Sequence, residues 1–136
     1  MARVYLDVCC LNRPFDDQSQ DRIRLESEAV RLILARIKSG EPSWVVSEVM
    51  EEEIERTADP VRRGRVRLML DYAATRIALG DAEVTRGEEL EALGFQAYDA
   101  LHLACAEAAA VDVFLTTDDR LLRTARRAAG DLRVRV

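Results

Sequence analysis

The chain is poor in the residues that build soft-metal sites. Its 136 residues include one histidine, His102, and three cysteines, none of them in a Cys-x-x-Cys pair. A structural zinc site takes four nitrogen or sulfur ligands at short spacings. His102 and Cys105, one helical turn apart, therefore read as core residues. Lysine is also nearly absent, with Lys38 the sole example. That excludes a receiver-type phosphoacceptor, which grips its phosphoryl group with a lysine at a late strand end. No apolar run approaches the ~20 residues of a membrane span. The N-terminal stretch shows no signal-peptide core. Three cysteines cannot all pair, and a reducing, cytoplasmic location is expected. Repeats, low-complexity tracts and linkers are missing as well.

What is present is a soluble globular composition, 49% hydrophobic and 33% charged. The length suits one domain over residues 1–136 with one core. The net charge is −5, from 25 acidic and 20 basic residues. This argues against a constitutively basic nucleic-acid module, but not against a nuclease whose acids gather in one pocket.

Short β-rich runs alternate with helical ones. Arg3–Leu6 reads as a first strand ending in Asp7, and residues 8–17 as a loop broken by Pro14, with Cys9 and Cys10 on opposite sides of an extended segment. Ile23, Val30, Ile33, Leu34 and Ile37 recur at helical spacing, so a helix is expected over 18–39, ended by Gly40. Residues 42–46 form a second strand, and Ser47 caps a helix that buries Met50 and Ile54. A helix follows over 61–75, then a weak strand at 77–79 and a short helix capped by Thr85. Residues 98–110 form a mostly apolar helix, 113–116 the clearest strand, and 118 onward another helix. Strict alternation over 132–136 predicts a final strand. The pattern is α/β: one domain with a central, mostly parallel, short-stranded sheet flanked by helices.

Asp99 is the conspicuous residue, a carboxylate on an apolar helix with no Lys or Arg within one turn. A buried carboxylate costs several kcal/mol unless something pairs with it. Either it caps its helix, or it faces a cation that the chain does not supply. Ligand sites in open α/β sheets form at the carboxyl ends of strands. Asp7 ends the first strand, Asp118 and Asp119 follow the 113–116 strand, and Glu51, Glu52 and Glu53 lie on the helix leaving the second. Four segments thus deliver acids to one end of one sheet. Oxygen ligands select Mg²⁺ or Mn²⁺. A phosphatase of the Asp-x-Asp type does not fit, since position 9 is cysteine. Arg62, Arg63, Arg65 and Arg67 admit two readings, an RNA-phosphate rim or a solvated face pairing with nearby acids.

Four segments, in order, resemble the signature segments of PIN domains, including the VapC-type toxin ribonucleases. They are Tyr5-Leu6-Asp7, Ser47 to Ile54, Tyr98-Asp99-Ala100-Leu101-His102-Leu103-Ala104, and Leu115-Thr116-Thr117-Asp118-Asp119-Arg120-Leu121. The resemblance implies that Asp7, Glu53, Asp99 and Asp118 hold one or two Mg²⁺ or Mn²⁺ ions, with Asp119 as a secondary acid. Glu53 fits the family spacing from Ser47; Glu51 and Glu52 remain alternatives. It further implies a metal-dependent endoribonuclease, an RNA substrate, a toxin held by a cognate antitoxin, and a homodimer. Two positions after the first Asp the family often has Ser, Thr or Asn, whereas this chain has Cys9, a poor ligand for a hard cation, with Asn12 nearby. A PIN fold that has lost its chemistry and serves as a partner-binding module is the alternative.

Overall fold

Three of the strands are short, largely apolar runs, as expected where both faces of a sheet are covered, while the edge strand Thr75-Arg76-Ile77 is only partly buried. In the computed structural model, which describes residues 2–136, β1 (Arg3–Leu6), β2 (Ser43–Ser47), β3 (Thr75–Ile77) and β4 (Val113–Leu115) form one parallel sheet in the order β3-β2-β1-β4. Tyr5 pairs with Val45 on one side and Phe114 on the other. Seven α-helices flank the sheet among the described residues: α1 (Val8–Asn12), α2 (Asp21–Lys38), α3 (Glu48–Glu55), α4 (Pro60–Met69), α5 (Asp81–Ala92), α6 (Ala97–Ala108) and α7 (Asp119–Arg127). Trp44, Tyr5, Leu6, Phe114 and Leu103 are wholly buried at the centre. Burying each of these side chains contributes about 1.5–3 kcal/mol relative to exposure.

Chain order fixes where a site can form. From β1 the chain steps outward to β2 and then β3; β4 returns to the opposite side of β1. The order therefore reverses between β1 and β4, and a crevice opens there at the strands' carboxyl ends. Asp7 ends β1 and its backbone N–H donates to Leu115 O at 2.9 Å, so the two strand ends are tied together.

Several elements differ from the sequence expectation. Residues 8–12 are not a loop but helix α1, which buries Val8, Cys10 and Leu11. No long helix forms across Pro14, as expected: α1 stops at Asn12, and Pro14 falls in the first turn of the 3-10 segment Arg13–Phe15, where its missing N–H is not needed. Cys9 and Cys10 are accordingly helical rather than extended. Helix α4 ends at Met69 and continues as a 3-10 turn over Leu70–Tyr72, which frees Thr75–Ile77 to be the third strand, two residues before its expected place. Helix α5 starts at Asp81 rather than near Thr85, with the Gly80 N–H donating to Glu83 at 3.2 Å. The final strand shrinks to one parallel bridge between Arg135 and Val113. Gly40, at φ +106°, terminates α2 as expected.

Candidate metal centre

Four acids are delivered to the β1/β4 crevice by four different local rules. Asp7 stands at the junction of β1 and α1, with extended backbone, and is buried at 4% exposure. Its side chain caps nothing. Instead Oδ2 accepts from the Thr116 hydroxyl at 2.8 Å and from the Cys9 thiol at 3.4 Å. The Thr116 oxygen also accepts from the Asp118 N–H at 3.1 Å. One hydroxyl thus locks Asp7 to the segment that carries Asp118. Thr116 was not among the expected site residues; its place immediately after a strand and two before an acid was the available signal. Cys9 occupies the position where the family often has a hydroxyl or amide, and Thr116 supplies the hydroxyl contact to Asp7 from across the sheet.

Asp118 caps α7, its Oδ1 accepting from the N–H groups of Arg120 at 2.9 Å and Leu121 at 3.4 Å. Asp99 lies in the first turn of α6, but Gln96 holds the cap position and the Asp99 side chain makes no capping hydrogen bond. The cap interpretation of Asp99 therefore has no contact behind it. Burial lifts its carboxyl to about 6, and the charges of Asp7 and then Asp118 push in the same direction, with His102 opposing and Glu53 adding. Asp99 thus lies within the field of Asp7, Glu53 and Asp118.

The three consecutive glutamates separate cleanly. Glu51 pairs with Arg76, Glu52 with Arg56 one turn on at 3.1 Å, and Glu53 turns inward to His102 Nε2 at 2.9 Å. Ligand atoms of Asp7, Glu53 and His102 all lie within 4.8 Å of one another. His102 is wholly buried and its Nδ1 is 2.6 Å from the Tyr5 hydroxyl, which is 2.6 Å from Ser47 Oγ. Burial holds the Tyr5 phenol well above its ordinary value, so it keeps its proton. Sequence reading had left His102 as a packed core residue, since no local pattern shows what faces it.

Asp119 goes elsewhere. It is exposed, and both its oxygens are taken by the Arg22 guanidinium on α2 at 2.6 and 2.7 Å, which holds its carboxyl below the usual range. The arginines of α4 are mostly occupied as well. Arg62 holds Asp16 at 2.9 Å, Arg63 the Thr57 carbonyl at 2.8 Å, and Arg67 Glu55. The pairing interpretation thus accounts for these three.

Among the described residues no Lys or Arg forms an ion pair with Asp7, Asp99 or Asp118, and Glu53 has only His102. The Asp7, Glu53 and His102 cluster, with Asp99 in the field of Asp7 and Asp118 and so little basic compensation, is compatible with a divalent cation, and its carboxylates suit a hard one. A parallel α/β sheet with this cluster at its switch point is the architecture of a metal-dependent nuclease fold. A profile of the PIN domain family matches residues 4–127, and the chain belongs to that family. PIN domains are generally metal-dependent nucleases acting on RNA. No curated protein matches the chain closely enough to be compared with it.

Proposed function

We propose that this protein is an endoribonuclease dependent on Mg²⁺ or Mn²⁺, of the VapC type, acting as the toxin of a toxin–antitoxin pair in the cytoplasm. The observation that carries the proposal is the clustering of ligand atoms of Asp7, Glu53 and His102 within 4.8 Å at the carboxyl ends of the strands, with Asp99 in the field of Asp7 and Asp118. The four carboxylates Asp7, Glu53, Asp99 and Asp118 would hold the ion, with Asp119 at the rim on Arg22. A divalent cation bound there would supply an activated water and charge stabilisation for displacement at a phosphodiester.

The chain's own residues prepare the site. Thr116 fixes Asp7 and the Asp118 backbone at once. Asp118 is held in one rotamer by capping α7. Asp99 stays half-buried at the start of α6, in the field of Asp7 and Asp118, which a cation would relieve. A protein partner such as an antitoxin, or a second copy in a homodimer, is supported by the exposed Leu25, Leu32, Val61, Leu68 and Tyr72.

The test is cleavage of a labelled RNA by the wild type, Asp99→Asn and Glu53→Gln, each with Mn²⁺, Mg²⁺ or EDTA. Metal-dependent cleavage by the wild type, lost in both variants, is expected. RNA left intact by the wild type in every metal overturns the proposal and leaves a partner-binding PIN fold.

A further inference from the structure

Glu53 is held differently from the other acids. Asp7 has the Thr116 hydroxyl from the neighbouring strand end, and Asp118 has the N-terminus of its own helix. Glu53 has three rotatable side-chain bonds and no such neighbour on α3. What it has is the end of a buried polar chain that crosses the sheet: Met50 N–H to Ser47 Oγ at 3.1 Å, Ser47 to Tyr5 at 2.6 Å, Tyr5 to His102 Nδ1 at 2.6 Å, and His102 Nε2 to Glu53 at 2.9 Å. Tyr5, Ser47 and His102 are each 0% exposed.

With the His102 ring neutral, the chain has one consistent polarity. A carboxylate only accepts, so the His102 Nε2–H donates to Glu53. Nδ1 of the neutral ring is then an acceptor, and the Tyr5 hydroxyl donates to it. The Ser47 hydroxyl donates to the Tyr5 oxygen, and Ser47 Oγ accepts from the Met50 N–H. Ser47 is also the N-cap of α3, the helix that carries Glu53 in its second turn. One string of hydrogen bonds therefore pins α3 at its N-cap and at the carboxylate six residues on. Aromatic packing keeps the ring from turning: Tyr5 lies edge-on to His102 at 5.7 Å, and Tyr98 stacks on it at 6.4 Å.

Resting on the reading of Glu53 as a metal ligand, we infer that His102 is a positioning residue: it holds Glu53 in its ligand orientation and is itself fixed, as the Nε2–H tautomer, by Tyr5 and Ser47. Both ring nitrogens are engaged, so His102 acts through Glu53 and is not itself a ligand. Partners that orient a ligand in this way govern metal affinity by about 10–100-fold.

Two measurements test this. His102 is the sole histidine, so the imaginable overlap of imidazole nitrogen signals does not arise in the untagged, metal-free chain. Its ¹⁵N spectrum is expected to show the proton on Nε2 in the wild type and a mixture of tautomers in Tyr5→Phe. A wild-type ring carrying its proton on Nδ1 overturns the inference, and this measurement needs no variant to fold. The second is calorimetric titration with Mn²⁺. Asparagine places an amide near Nδ1 and glutamine places one near Nε2. His102→Asn is expected to bind Mn²⁺ at least about tenfold more weakly than the wild type, as Glu53→Gln does, while His102→Gln recovers most of the affinity. Wild-type affinity in His102→Asn, with Glu53→Gln weakened, overturns the positioning role alone. A wild type that binds no Mn²⁺ overturns the metal-site reading instead.

Discussion

Replacing Asp99 by Asn should make the metal-free protein more stable at neutral pH. Its carboxyl sits near 6 rather than at the ordinary 3.8, raised by burial and by the charges of Asp7 and Asp118. A carboxylate raised in the folded state binds its proton more tightly there than in the unfolded chain. Its contribution is therefore neutral below about pH 4, turns unfavourable as pH rises toward 6, and reaches its full cost above that. A shift of about two units has a ceiling of about 3 kcal/mol. Asp99 is only half-buried, and solvent screening brings this down to about 1–1.5 kcal/mol. Asparagine removes that cost. It also removes a negative charge from the first turn of α6, which loses about 0.5 kcal/mol of helix-dipole stabilisation. No capping bond is lost, because the Asp99 side chain makes none. The net gain is about 0.5–1 kcal/mol, a melting-temperature rise of about 2–4 °C for a domain of this size. Scanning calorimetry in EDTA at pH 7.5 and at pH 4 measures it: the variant should melt higher at pH 7.5, and the gap should close at pH 4. With Mn²⁺ at a hundredfold excess over its dissociation constant, the wild type should gain about 2.7 kcal/mol and the variant clearly less. A variant that melts below the wild type in EDTA at pH 7.5 would show that the carboxylate supports its helix, and the argument for a cation facing it would fail.

Other substitutions probe the neighbouring contacts. Glu53→Gln should abolish cleavage of a fluorogenic RNA, while Glu51→Gln and Glu52→Gln, which lose only surface pairs with Arg76 and Arg56, should keep it. Asp118→Asn preserves the cap on α7 and should melt like the wild type yet cleave nothing; Asp118→Ala should also lose about 1 kcal/mol in urea denaturation. Arg86→Ala leaves the Glu107 carboxylate, whose side chain is 3% exposed, with only the Arg133 N–H at 2.8 Å, and should cost about 3 kcal/mol without involving the metal centre. Equal urea midpoints for Arg86→Ala and the wild type would contradict that assignment.

Much of this architecture is local in origin and was legible in the chain. The β-rich runs at 3–6, 42–46 and 113–116 read as strands, found at 3–6, 43–47 and 113–115, and the helices between them favour parallel crossovers. That alone puts Asp7 and Asp118 at carboxyl strand ends, because each directly follows or closely follows its strand. Asp99 was marked by a purely local conflict, an acid on an apolar helix without a basic neighbour. Tertiary structure decided the rest, and in each case the deciding contact spans the chain. Which of three adjacent glutamates faces inward depends on the rotation of α3 against α6, since each residue along a helix turns by about 100°; the contact that settles it, His102 to Glu53, joins residues 49 apart. Asp119 lies beside Asp118 in sequence, yet Arg22, 97 residues away, draws it outward. Residues 8–12 coil because Val8, Cys10 and Leu11 find a core to enter. The alternation over 132–136 yields a single bridge because only Arg135 aligns with β4. Thr116 was not singled out, and His102 was read as a core residue, for the same physical reason: a hydroxyl or an imidazole carries no local mark of its partner, and theirs, Asp7, Tyr5 and Glu53, arrive from other strands and helices only when the sheet closes.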